Sequence, residues 1–238
     1  MDLVKEKQRL ERLHRNNNIL FWVIVSMGVA NVVWLIVRKS HWDEVTFRGL
    51  QYVAMLMVMR LPKFLKFRLK IEVPIILSSV IVLFSFSALV LGDGLDLYGK
   101  IPWWDKLLHA ESGFILSMVA LWLIHIIMAE DDKYIYFNKY FLTLFLVIFS
   151  LGLGAMWEII EFTYDSIMGT NTQQFMATTT SSLFTSEDVP LCGHAALKDS
   201  MFDLIFDFTG ALLVGIYAFV RHDKLVERYQ HIDIIYSA

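Results

Sequence analysis

The sequence predicts an all-α integral membrane protein, a helical bundle of about six transmembrane helices with both termini in the cytoplasm. Three observations carry this. Of 238 residues, 56% are apolar and 19% charged, whereas an ordinary soluble domain carries about a quarter charged residues. The apolar residues, with 18 Phe and 7 Trp among them, fall in runs close to the ~20 residues one helix needs to cross the hydrocarbon core. Lys and Arg gather beside alternate ends of those runs, as cytoplasmic loops require. A soluble enzyme is excluded. The formal charge of −3, with basic residues placed only beside apolar runs, argues against nucleic acid as a partner. Cys192 is the only cysteine, so neither an internal disulfide nor a Cys-based zinc site is available.

In chain order, residues 1–17 (MDLVKEKQRLERLHRNN) read as a charged cytoplasmic surface helix. The run Ile19–Val37 is too long and too far from the start for a signal-peptide core and lacks a small-residue cleavage site, so it is expected to be an uncleaved first span. Further spans are expected at Val45–Leu61, Val73–Leu91, Leu107–Ala129, Phe141–Phe162 and Met201–Val220. That gives a six-span membrane domain over 18–220 and a cytoplasmic tail over 221–238. The second run is short and holds Arg48, Gln51 and Arg60, and an interfacial amphipathic helix is its alternative. Loop charge favours a span. With six spans, the inner segments collect Lys5, Lys7, Arg9, Arg12, Arg15, the Arg60–Lys70 cluster, Lys133, Lys139, Arg221, Lys224 and Arg228. The outer segments hold only Arg38, Lys39, Arg48, Lys100, Lys106 and Lys198. An interfacial second run would turn the Arg60–Lys70 cluster outward, against the positive-inside rule. Pro62, Pro74, Pro102 and Pro190 fall at expected span ends or in loops, where proline is tolerated. Trp103 and Trp104 suit an interfacial aromatic belt. The outer loop 166–198, rich in Thr and Ser, is longer than ordinary connections and reads either as a solvated loop or as a lid over the outer face.

Ionisable residues within spans are costly and mark function by default. Here they form stripes. Asp105 and His109 are spaced i, i+4; Glu158, Glu161 and Asp165 are spaced i, i+3, i+7; Asp199, Asp203 and Asp207 are spaced i, i+4, i+8. Each spacing places its members on one helix face. By the expected topology all three stripes sit at the outer ends of their helices and can converge at one depth. Seven carboxylates cannot all remain ionised together in low dielectric, so some carry protons or cations sit between them. Arg48, Lys106 and Lys198 lie at the interface and can snorkel away. A divalent metal resolves the balance, and oxygen donors with one imidazole suit Mg²⁺, Mn²⁺, Fe²⁺ or Zn²⁺. Asp105, Asp165 and Asp199 are also explained as hydrated caps, whereas Glu158, Glu161, Asp203 and Asp207 lie too deep for capping. Glu111 faces away from His109, and His125, His194 and Cys192 are given no role. The small residues Gly152, Gly154, Ala155, Gly210, Ala211 and Gly215 read as close helix packing.

The segments WDKLLHAESG, GAMWEIIEFTYD, GTNTQ and KDSMFDLIFDFTGAL resemble the YjdF-like family of bacterial polytopic membrane proteins, over roughly Trp104–Gly215. The resemblance implies a membrane fold and a shared acidic pattern, and no particular reaction. Carried over residue by residue, that pattern falls on Asp105, His109, Glu158, Glu161, Asp199 and Asp203. The chain departs from it at Ala110–Glu111, where the family is aromatic and apolar. It departs again at Cys192-Gly193-His194, which stand in place of a Gly-Asp element.

The leading functional expectation is a divalent-metal-dependent membrane hydrolase of the cell membrane, acting on a lipid or envelope precursor. Metal would be held by His109, Glu158, Asp203 and Asp207, with Asp199 as a further ligand; Glu161 would be the general base and Asp105 would orient the imidazole. No HExxH, GxSxG or phosphate-binding Arg/His set is present, nor the Glu-x-x-His spacing of di-iron bundles. The alternatives are a cation or proton-coupled transporter, which needs a polar route across the membrane, and a non-catalytic membrane protein whose acidic cluster is structural.

Overall fold

A computed structural model of the chain describes residues 2–38, 42–95, 97–130, 138–177 and 189–225. In chain order it contains α1 (Asp2–Val37), α2 (Trp42–Leu69), α3 (Ile75–Ser85), α4 (Leu97–Lys100), α5 (Trp104–Glu130), α6 (Lys139–Met168) and α7 (His194–Val220). A π-helical stretch, Phe86–Gly94, continues α3, and a two-residue antiparallel ladder pairs β1 (Met176–Ala177) with β2 (Val189–Pro190). Among the described residues, five helical stretches are long and apolar enough to cross a membrane: Lys7–Val37, Ile75–Gly92, Trp104–Ile127, Lys139–Met168 and His194–Val220. The architecture is an all-α membrane bundle, as the composition requires. The sixth expected span, within α2, has the length but not the hydropathy, because Arg48, Gln51 and Arg60 dilute it.

Several boundaries differ from the sequence expectation. The charged segment 1–17 is no separate surface helix; it is continuous with the first apolar run in a 36-residue α1, about 54 Å long at 1.5 Å per residue. No Gly or Pro interrupts it before Gly28, so nothing forces a break. Pro62 lies inside α2 rather than at its end; membrane helices tolerate such a proline where neighbours re-satisfy the freed carbonyl. Pro74 keeps its expected terminal place as the N-cap of α3. The last helix begins at His194, so the connection after α6 is 169–193, and Asp199 stands inside α7. The centre of that connection (178–188), residues 131–137 with Lys133, Lys39, and the tail beyond 225 with Arg228 lie outside the described residues.

The chain divides into two compact units. The first is Met1–Leu108 with Tyr164–Leu191. In it α1 and α2 run antiparallel. Lys63 Nζ donates to Asn18 Oδ1 (3.3 Å), the Arg60 guanidinium lies 3.6 Å from the Phe21 ring centre, and the Tyr52 ring packs onto Gly28, where a Cβ would overlap it. Asn17 donates to Ser79 Oγ (3.1 Å), which brings α3 beside α1, and the Tyr52 hydroxyl donates to the Leu89 carbonyl in the π-helical stretch (3.3 Å). Ile24, Tyr52, Met59, Val82, Leu89 and Val90 form the apolar core between these helices.

The second unit is His109–Thr163 with Cys192–Ala238. Ser150 Oγ donates to the Gly113 carbonyl (2.8 Å) and Ser117 Oγ to the Leu146 carbonyl (3.1 Å), which sets α5 and α6 antiparallel. Thr143 Oγ1 donates to the Gly215 carbonyl across α6 and α7 (3.3 Å). Hydroxyls returning a hydrogen bond to a neighbouring backbone, at small-residue crossings, are the usual membrane-helix contact. One end of the bundle closes on Ala120, Ile124, Leu142, Leu146, Val214 and Ala218. The other end carries the charges.

Candidate metal centre

The centre is built where α5 and α7 approach most closely. A Cβ on Gly113 would fall on the Asp207 backbone, and one on Gly210 would fall on the Ala110 carbonyl. Glycine at both positions lets the two backbones touch. On α7 the i, i+4 spacing stacks the carboxylates of Asp203 and Asp207, and on α5 the i, i+3 spacing turns His109 and Ser112 toward them. His109 Nδ1 lies 3.4 Å from Asp207 Oδ2, and its Nε2 lies 3.5 Å from Asp203 Oδ1. The Ser112 hydroxyl donates to Asp207 Oδ1 at 2.6 Å. From α6, Gly154 leaves room for this carboxylate, since a Cβ there would overlap it.

Both aspartates are withdrawn from the surface, Asp203 at 2% and Asp207 at 0% exposure, and His109 is buried between them. Their surroundings differ. Each Asp207 oxygen faces a partner, the Ser112 hydroxyl on one side and, at 3.4 Å, the imidazole on the other. Both imidazole contacts, 3.4 Å to Asp207 and 3.5 Å to Asp203, are longer than a strong hydrogen bond. Two donors bound at about 2.0–2.1 Å to one tetrahedral cation stand about 3.4 Å apart, close to the observed separations of the imidazole nitrogens from both carboxylates. An imidazole held from behind by a carboxylate, its other nitrogen beside a second carboxylate, is the recurring arrangement of a histidine metal ligand.

The remaining expected residues fall as follows. Glu158 is buried on α6, one turn from Gly154 and on the same face. Glu161 and Asp199 are half-buried, and Asp199 stands one turn before Asp203. Asp105 is one turn before His109 on α5; its Oδ2 pairs with Lys106 Nζ at 3.0 Å and accepts from Gln174 Nε2 at 3.3 Å. The sequence reading missed Ser112, which its i, i+3 offset from His109 could have flagged, and gave Gly154 only a packing role. Glu111, set aside from sequence, carries a buried Oε2 that meets no hydrogen-bond donor among the described residues.

Asp165 proves structural. Its buried carboxylate accepts from the Thr170 hydroxyl (2.5 Å), the Thr172 amide and hydroxyl (2.8 and 2.7 Å) and the Gln173 amide (2.9 Å). Gly169, at φ +66°, turns the chain out of α6 with its amide on the Asp165 carbonyl, the usual left-handed helix ending. Asn171 then ties the turn to Met176 through both backbone groups. The GTNTQ segment is thus wound around one carboxylate. Asp165→Ala should strand four donors, cost about 1–3 kcal/mol, and raise proteolytic cleavage within residues 169–177, read by limited proteolysis in detergent. Unchanged cleavage would count against this role.

Fold and centre together define a multi-span helical membrane protein with a buried His–Asp constellation between two of its helices. The chain belongs to the family described as "Predicted membrane protein (DUF2238)", whose profile matches residues 20–224; the match takes in all the acidic stripes and is compatible with the YjdF-like resemblance. The chain is also 32% identical over 139 residues to an uncharacterized protein of Thermotoga maritima, covering 57% of this chain and 56% of that relative's length. No solved structure matches it.

Proposed function

We propose that the protein is a divalent-metal-dependent hydrolase of the cell membrane, acting on a lipid or envelope precursor. The observation that carries this reading is the His109 ring, with Nδ1 against Asp207 and Nε2 at a ligand–ligand distance from Asp203. In this reading His109 Nε2 and Asp203 are the first ligands, and Glu158 and Asp199 complete the set. Asp207 acts on the imidazole rather than on the ion, the orienting task the sequence expectation gave to Asp105. Glu161 is the general base. One imidazole among oxygen donors suits Zn²⁺, Mn²⁺ or Fe²⁺ ahead of Mg²⁺. Such an ion supplies a water that ionises near neutral pH.

An enzyme is favoured over a transporter because the bundle beyond the centre closes on an apolar layer, Ala120, Ile124, Leu142, Leu146, Val214 and Ala218, where a transporter needs a polar route. Thermal unfolding in detergent tests the metal. The parent should melt higher with Mn²⁺ or Zn²⁺ and lower with chelator, by an amount equivalent to about 2.7 kcal/mol at a hundredfold excess over Kd. His109→Ala and Asp203→Asn should abolish the response. A parent indifferent to every metal would sink the reading.

The topology proposed with it has both termini cytoplasmic and α2 as a sixth crossing, supported by the antiparallel run of α2 along the first apolar helix. Cys192, the only thiol, is exposed two residues before α7. An impermeant maleimide should label it in intact cells; labelling only after the membrane is opened would reverse the topology.

A further inference from the structure

We propose that the end of the first unit where α2 finishes is a docking surface for anionic phospholipid headgroups. Its boundary is marked by the side-chain bridges Asn17–Ser79 and Asn18–Lys63, where apolar packing among α1, α2 and α3 gives way to polar contacts. At and beyond that line Arg12 and Arg15 on α1, Lys63, Lys66 and Arg68 in the last turns of α2, and Lys70 just after it are all exposed. They lie within about two helical turns, or ~11 Å, of the boundary, a distance comparable to the screening length at physiological salt. Among the described residues Glu72 meets Lys66 at 2.7 Å with both side chains largely in the open, where such a pair neutralises little, and the exposed Glu11 stands beside Arg12 and Arg15.

The apolar residues between these cations decide the partner. Phe64 and Phe67, one turn apart, are 55% and 74% exposed, and Leu61 and Leu69 flank them. Lys63 and Lys66 form the neighbouring stripe, and Arg68 lies over the Phe67 ring at 5.8 Å. A soluble polyanion would leave these rings in water. At the headgroup boundary of an anionic bilayer the rings enter the acyl layer while the cations meet phosphates.

The test is thermal unfolding of the full chain in nanodiscs of phosphatidylcholine with and without phosphatidylglycerol. Phosphatidylglycerol should raise Tm, and high salt should erase the gain in the parent itself. The triple variant Lys63→Gln/Lys66→Gln/Arg68→Gln should lose at least half of the gain, while Lys139→Gln/Lys198→Gln should keep it. Equal Tm in both discs, a salt-insensitive gain, or a gain fully retained by the triple variant would overturn the proposal. So would an equal gain from inorganic polyphosphate in phosphatidylcholine discs, which would make the occupant a soluble polyanion.

Discussion

Gly113→Ala is expected to separate α5 from α7 and dismantle the His–Asp centre. The added methyl would fall on the backbone of Asp207, and a backbone inside a packed bundle cannot swing aside as a side chain can. Forcing one extra carbon into such a contact costs about 1–3 kcal/mol, and contact with main-chain atoms places this site at the upper end. The variant should melt lower in detergent, elute with more aggregate, and lose any metal response. Gly152→Ala is the matched control. Nothing lies within 4 Å of a Cβ at Gly152, and alanine is the better helix former by about 1 kcal/mol, so that variant should be neutral or more stable. Equal behaviour of the two would refute the close-approach account.

The second large effect is expected at Asp207. Asp207→Ala removes the carboxylate that faces both Ser112 and His109 and opens a void at a fully buried position. Leaving a buried polar group without its partner costs about 1–3 kcal/mol. Ser112→Ala removes one donor and should cost less. In the double variant the two losses should not add, because both changes disrupt one network. Strict additivity in the melting data would show that Ser112 and Asp207 do not act together.

The fold class was legible because hydropathy in a membrane protein is a coarse and strong signal; five apolar stretches lie where the sequence runs predict them. Helix ends were less legible. Pro62 reads as a stop, yet α2 passes through it, and RNNN at 15–18 reads as a boundary, yet α1 crosses it without a break. Local propensity cannot foresee how neighbouring helices satisfy the backbone. In the centre, the i, i+4 stripe put Asp203 and Asp207 on one face correctly but could not rank them. The difference comes from Ser112 on another helix, and contacts between helices leave no trace in periodicity. Asp165 shows the reverse. Spacing alone grouped it with Glu158 and Glu161, whereas the GTNTQ turn that consumes its carboxylate follows it directly in the chain.

The proposal that His109 and Asp203 hold a divalent cation is tested most directly by elemental analysis of the protein purified in detergent without added metal or chelator. The account predicts about one divalent transition metal per chain, as one closed set of ligands would hold. Metal should fall to background in Asp203→Asn and His109→Ala while Asp165→Asn retains it. Background metal in the parent, unchanged after loading with Zn²⁺, Mn²⁺ or Fe²⁺ and desalting, would contradict it.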